Sequence, residues 1–157
     1  MQKPITKELN PSTNGQLKTA LFWAVLLLLI DRGLKMTAFF WWSDHSQPLI
    51  DGWQLTYSIN NYLAFSLPWS GWILTIFLTI LIFGLTIYAV KVIKKQPGQS
   101  YGWLFLLAGA YSNLYDRVVY GGVIDYITSW WTIFNLADIL IGLGLIILFF
   151  LKQKERL

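Results

Sequence analysis

Four runs of apolar residues dominate the 157-residue chain, separated by polar or mixed stretches. The first covers about 19–42 and is interrupted by Asp31, Arg32 and Lys35. The second, about 69–90, contains no charged residue. The third, 101–120, ends across Asp116-Arg117. The fourth, 131–151, carries Asp138 as its one charge. A helix rises about 1.5 Å per residue and needs about 20 residues to cross the hydrocarbon layer of a bilayer. The pattern therefore predicts an all-α membrane protein, a four-transmembrane-helix bundle in a single domain over 1–157. In the first run, Asp31-Arg32 follow the apolar core where a small-residue cleavage site would stand, so this run is read as a retained span.

The stretch 43–68 follows another period. Asp51-Gly52 signals a turn, and Trp53, Leu55 and Tyr57 alternate with Gln54, Thr56 and Ser58. Alternation of this kind predicts a strand, and with it a small β-sheet cap between spans one and two. The ends, 1–16 and 152–157, are polar and expected to be mobile.

Composition agrees with a bilayer environment. Apolar residues make up 55% of the chain and charged residues 13%, where a soluble domain carries about 25% charged. The net charge of +4 reads as topology and not as a nucleic-acid surface. Nine of the twelve basic residues (Lys3, Lys7, Lys18, Lys91, Lys94, Lys95, Lys152, Lys154 and Arg156) fall on one side of a four-span chain. The stretches 43–68 and 120–131 have no Lys or Arg, which predicts cytoplasmic termini and an extracytoplasmic cap. The aromatic pairs Trp41-Trp42 and Trp130-Trp131 read as interfacial anchors. Without Cys there is no thiol nucleophile and no thiolate metal site. The single His45, in a polar loop, reads as surface decoration. No metal or other cofactor is expected.

A charge at membrane depth is expensive and calls for a role and a partner. Asp31, Asp116, Asp125 and Asp138 all fall towards the extracytoplasmic ends of their spans. Asn113, Asp116 and Arg117 share a helical face, as do Asn135 and Asp138; Asp31 and Lys35 stand in an i, i+4 ion-pair register. Asp31–Lys35 and Asp116–Arg117 fit structural ion pairs as well as they fit a site. Asp125 and Asp138 have no basic neighbour in sequence, and a short connection brings them to the same membrane face. Two carboxylates sharing a site need not both ionise. One then serves as general acid and the other as general base on water.

These residues, taken in order, resemble the lipoprotein signal peptidase (signal peptidase II) family. Asp31-Arg-Gly-Leu-Lys35 resembles its Asp-x-x-x-Lys. Leu49 to Tyr57 resembles the stretch before its Asn motif, and Asn60-Asn-Tyr-Leu-Ala-Phe65-Ser66 resembles Asn-x-Gly-x-Ala-Phe-Ser. Gly109-Ala-Tyr-Ser-Asn113-Leu-Tyr-Asp116-Arg117 and Gly122-Val-Ile-Asp125-Tyr resemble Gly-Ala-x-Gly-Asn-x-x-Asp-Arg and Val-Val-Asp-Phe. Phe134-Asn135-Leu-Ala137-Asp138 matches Phe-Asn-x-Ala-Asp. The resemblance covers about 20–150. It implies that Asp125 and Asp138 form a catalytic dyad, that Asn60, Asn113, Arg117 and Asn135 shape the site and hold the peptide, and that Asp31, Lys35 and Asp116 support it. It also implies a substrate: a prolipoprotein whose cysteine carries diacylglycerol, cut just before that cysteine by a multi-pass enzyme of the bacterial inner membrane. The implied partners are such substrates and membrane lipids, with the protein a monomer.

The chain departs from the family pattern at Tyr62, Leu63 and Ser112, where Tyr62 and Ser112 replace glycines. These departures leave open a divergent or catalytically impaired homologue that binds lipoproteins or lipids without cutting. A small proton-coupled transporter would spread its polar residues through membrane depth. Here they gather at one end.

Overall fold

The computed structural model describes residues 11–43, 46–63 and 67–154. His45 and the motif residues Ala64, Phe65 and Ser66 lie outside them. Four long helices are present: α1 (Pro11–Trp41), α2 (Gly71–Lys95), α3 (Ser100–Tyr120) and α4 (Leu136–Lys154). Two of them, over Gly71–Lys95 and Leu136–Gln153, are long and apolar enough to cross a membrane by length and composition. The 21 residues of α3 extend about 31 Å at the usual helical rise. α1 begins eight residues before the predicted span, because the stretch from Pro11 to Lys18 contains no interior breaker stronger than Gly15. The expected mobile end thus starts as helix from residue 11.

Helix α3 is the centre of the bundle. It packs against α1, α2 and α4. Its contact with α4 is made backbone to backbone. A Cβ on Gly144 would lie 2.7 Å from the Gly102 carbonyl oxygen, and one on Gly109 would collide with the Ala137 carbonyl oxygen. Small residues let helices approach this closely. Apolar side chains face outward from all four helices, among them Leu29, Ile80, Val118 and Phe149. So large an apolar surface is one that lipid or another apolar partner covers.

The sheet is larger than the alternation in 43–68 predicts. Strands β1 (Gln47–Ile50) and β2 (Trp53–Asn60) come from that stretch. β3 (Tyr62–Leu63) and β4 (Leu67–Ser70) form a separate two-stranded ribbon leading into α2. The main sheet is completed by β5 (Val123–Thr128) and β6 (Ile133–Phe134), in the antiparallel order β1-β2-β5-β6. The connection between α3 and α4 is therefore largely strand, with 129–132 as the turn between β5 and β6. Val123, Ile124, Ile127 and Thr128 are β-branched and suit a half-buried sheet. The same strands shorten the fourth helix, which starts at Leu136 and not at 131.

Gly121, at φ +77°, ends α3 in a left-handed cap and turns the chain into β5. Beside it, Gly122 lets β2 pass close, since a Cβ there would lie 2.6 Å from Ile59 Cγ2. The register pairs Ser58 with Asp125 and Leu55 with Ile127, so β2 holds one extra residue opposite Tyr126. Such a bulge bends the strand and re-aims its neighbours. Under the sheet, Ala38, Ile124 and Tyr126 form a core with Leu34, Trp42, Tyr57 and Leu136. Trp42 thus belongs to the core, while Trp41, Trp130 and Trp131 are exposed.

Candidate active site

The start of α4 gathers the polar residues. The first N–H groups of a helix have no partner within it. Here Leu136 N donates to the Tyr126 hydroxyl at 3.0 Å and Ala137 N to Asp31 Oδ1 at 3.1 Å. Asp138 N donates to Asn135 Oδ1 at 2.9 Å, and Asp138 Oδ2 accepts from Asn135 N at 3.3 Å. This last pair is a capping box with Asn135 as the cap. The partial positive charge of the helix start favours the carboxylates held against it.

Asn135 also reaches the strand. Its amide nitrogen donates to Asp125 Oδ1 at 2.6 Å and to the Ile124 carbonyl at 3.3 Å. One buried side chain therefore binds Asp125 and fixes Asp138. The other oxygens of the two acids are held by amides as well. Asp125 Oδ2 accepts from Asn60 Nδ2 at 3.3 Å, and Asp138 Oδ1 accepts from Asn113 Nδ2 at 2.8 Å. Asp125 is buried, whereas Asp138 is open to the surface of the fold. Burial, and next the Asp138 carboxylate, push the Asp125 carboxyl up to about 7, against the hydrogen bonds from Asn135 and Asn60.

A second cluster lies behind the first. Lys35, fully buried, pairs with Asp31 at 3.2 Å and Asp116 at 2.7 Å and donates to Asn113 Oδ1 at 2.8 Å. Arg32 pairs with Asp116 at 2.5 Å. Two cations and two carboxylates thus balance. The remaining acceptor sites of Asp116 and Asp31 take Ile124 N at 3.2 Å and the Ser112 hydroxyl at 2.5 Å. Among the described residues these are the ion pairs, and neither Asp125 nor Asp138 has a cationic nitrogen within 4.0 Å.

The structure thus brings together Asp31, Lys35, Asn60, Asn113, Asp116, Asp125, Asn135 and Asp138. The expected Asp116–Arg117 pair does not form. Neighbours in sequence diverge around a helix, and Arg117 instead donates to the Tyr62 carbonyl at 2.6 Å. That contact joins the site indirectly, because Tyr62 N donates to Asn60 Oδ1 at 3.0 Å. Tyr62 is half exposed and lies in strand β3. Ser112 fills its position with a hydroxyl aimed at Asp31. Sequence reasoning missed Arg32, Ser112 and Tyr126 as members of the network. The signal for Arg32 was a charge inside an apolar run. Ser112 and Tyr126 gave none, since their role depends on which elements the fold brings together.

The family model described as Signal peptidase (SPase) II matches residues 23–152. A lipoprotein signal peptidase of Syntrophomonas wolfei is 36% identical over 148 residues, covering 86% of this chain and 97% of that protein. One of Cellvibrio japonicus is 31% identical over 142 residues, covering 81% and 83%. A solved bacterial membrane enzyme, determined by the in meso method at 2.3 Å resolution, superposes with a TM-score of 0.78 at 25% identity, covering 88% of this chain and 90% of its own.

Proposed function

The chain belongs to the signal peptidase II family, the lipoprotein signal peptidases, and from that premise we propose that Asp125 and Asp138 are its catalytic pair. The activity is hydrolytic: an aspartic endopeptidase that removes signal peptides from prolipoproteins. The observation that carries the assignment of residues is the contrast between the two acid pairs. Asp31 and Asp116 are neutralised in ion pairs, while Asp125 and Asp138 are held by asparagine amides and share Asn135. Amide bonding orients a carboxylate without cancelling its charge, which leaves it able to exchange a proton.

In the reaction the pair carries one proton. The ionised member takes a proton from water as the water oxygen attacks the scissile carbonyl carbon. The protonated member gives its proton to the carbonyl oxygen. The tetrahedral intermediate collapses as one of its hydroxyls returns a proton to that second acid, the C–N bond breaks, and the leaving amine takes from the first acid the proton that came from water. Asn60, Asn113 and Asn135 keep the carboxylates oriented, and Arg117 holds the Tyr62 backbone beside them. Asp31, Lys35 and Asp116 brace the helices behind. Tyr62 and Ser112 leave the dyad intact, which favours a working enzyme over a binding-only homologue.

The substrate is the diacylglyceryl-modified precursor, cut before its lipidated cysteine, with the acyl chains in the bilayer beside the helices. All four helices span the bacterial inner membrane. Both termini are cytoplasmic, as the nine basic residues on that side favour. The sheet then lies at the extracytoplasmic face, where α4 begins, and limits water entry. The working unit is read as a monomer, because Asn60, Asn113 and Asn135 of the same chain already bind all four carboxylate oxygens of the dyad.

The test is cleavage of a purified diacylglyceryl-modified prolipoprotein, followed as a size shift, with Asp125→Asn and Asp138→Asn in parallel. The parent cleaves and neither variant does. A variant that cleaves at the parental rate removes that residue from the pair.

A further inference from the structure

Tyr126 follows Asp125 on β5, so its side chain points to the opposite face of the strand. There it is buried with Ala38 and Ile124, 1% exposed. Its hydroxyl accepts from Leu136 N at 3.0 Å and donates to Asp31 Oδ1 at 3.1 Å. The same Asp31 oxygen accepts from Ala137 N at 3.1 Å, and the other oxygen accepts from the Ser112 hydroxyl at 2.5 Å. The strand that carries Asp125 is therefore tied to the helix that carries Asp138 through one phenol. It stands one residue from the first acid and grips the helix two residues before the second. Ser112, on α3, completes the tie by holding the carboxylate that the phenol and the helix share.

We propose that Tyr126 and Ser112 are positioning residues for the cleavage reaction, whose hydroxyls clamp Asp31 against the first turn of α4 and so set the separation of Asp125 and Asp138. The proposal rests on the reading of those two acids as the catalytic pair. Neither hydroxyl bonds to Asp125 or Asp138; each acts through Asp31. Tyr126→Phe keeps the ring packing but leaves Leu136 N–H without its acceptor and Asp31 with one donor fewer. The helix start is then held by Asp31 and Asn135 alone and is free to move. Small displacements of a reacting group lose rate steeply. Burial, and next the Asp31 carboxylate, raise the pKa of the Tyr126 phenol, so it remains a donor across any working pH.

The gap between the acids also has a titration signature. The charged groups that bear on Asp125 are Asp138 on α4, Lys35 on α1 and Arg117 on α3. Behind them stand Asp31 and Arg32 on α1 and Asp116 on α3. A change in the Asp125–Asp138 distance alters their repulsion and displaces the pH limb of the rate.

The experiment compares the full-length chain with Tyr126→Phe, Ser112→Ala, Asp125→Asn and Asp138→Asn on the lipid-modified precursor across a pH series. Tyr126→Phe is expected to lower kcat about tenfold and Ser112→Ala about threefold, with KM held within about twofold. Both are expected to shift the limb near neutrality by about half a pH unit or more, since a pKa reads the interaction of neighbouring charges. A loss of thermal stability with kcat and the pH limb at parental values overturns the proposal. If Tyr126→Phe does not fold, Ser112→Ala decides alone, and parental kinetics there overturn it. Parental activity in either Asp variant overturns the dyad reading instead, and the clamp falls with it. Inactive Asp variants beside kinetically normal Tyr126→Phe and Ser112→Ala remove only the clamp.

Discussion

Asn135 and Asp138 exchange two hydrogen bonds across the first turn of α4, 2.9 Å from Asp138 N to Asn135 Oδ1 and 3.3 Å from Asn135 N to Asp138 Oδ2. The same Asn135 amide donates to Asp125 at 2.6 Å. A helix cap, a structural device, thus doubles as the connection between two carboxylates on different elements.

Replacing Asn135 therefore separates stability from catalysis. Asn135→Ala removes the cap, which loses about 1 kcal/mol of stability. It also removes the donor to Asp125, and cleavage is expected to fall about 10- to 100-fold. Asn135→Asp keeps a capping oxygen but places a third carboxylate beside the pair, so stability is retained better than activity. Thermal midpoints in detergent and single-turnover cleavage rates separate the two effects.

The pH dependence follows from Asp125. Its folded carboxyl is raised to about 7 from an ordinary value of 3.8, by burial and then by Asp138. The folded chain consequently binds more protons than the unfolded chain between those values. This contribution to stability is full below pH 3.8 and is lost as pH rises through about 7. Asp125→Asn should remove that slope, leaving the variant relatively more stable at pH 8 than at pH 5. Cleavage by the parent should decline above about pH 7 as the pair loses its shared proton.

Much of this arrangement was legible in the chain. The long apolar runs fixed where helices form, because a bilayer-length run admits few other structures. The charges in or beside the apolar runs marked Asp31, Lys35, Asp116, Asp125 and Asp138, because a charge in such a setting needs a partner. The partners themselves were only partly legible. Lys35 with Asp31 follows from an i, i+4 spacing, whereas Lys35 with Asp116 depends on how α1 packs on α3. The strands β5 and β6 hid inside a stretch short and apolar enough to read as a span flank. Asn135 was visible as a residue on the Asp138 face, but its reach to Asp125 required knowing that β5 passes beside the start of α4.

The buried ion cluster predicts a stability effect distinct from that of the dyad. Lys35→Met leaves Asp31 with no cation and Asp116 with Arg32 alone. Removing one partner from a buried pair is expected to lose about 3–5 kcal/mol. The double variant Asp31→Asn with Lys35→Met should lose less than the sum of the singles, because no charge is then stranded. Thermal unfolding of the four proteins completes the cycle.

Orientation is testable because the chain has no cysteine. Thr132→Cys, beside β6, and Lys95→Cys, at the end of α2, both alter exposed positions. A membrane-impermeant thiol reagent applied to intact spheroplasts should label the Thr132→Cys variant and leave the Lys95→Cys variant unlabelled until the membrane is opened. The reverse pattern would invert the proposed topology and place the dyad in the cytoplasm.

The closest backbone approach near the site yields the sharpest packing test. Gly109 sits on α3 where any Cβ would meet the Ala137 carbonyl oxygen and, at 2.9 Å, Ile141 Cγ1. The oxygen belongs to backbone and cannot rotate away, so Gly109→Ala must push α4 outward at the residue before Asp138. The displacement acts on the acid directly, and Ala137 N would leave Asp31 as it moves. Gly109→Ala is therefore expected to lose about 1–3 kcal/mol of stability by overpacking and to cut kcat about tenfold or more through misplacement of Asp138. Gly84 on α2 has nothing within 4 Å of its would-be Cβ. Gly84→Ala should accordingly leave cleavage unchanged and raise stability slightly, by about 0.5–1 kcal/mol, through better helix propensity. Equal effects of the two substitutions on cleavage would show that the α3–α4 approach does not set the position of Asp138.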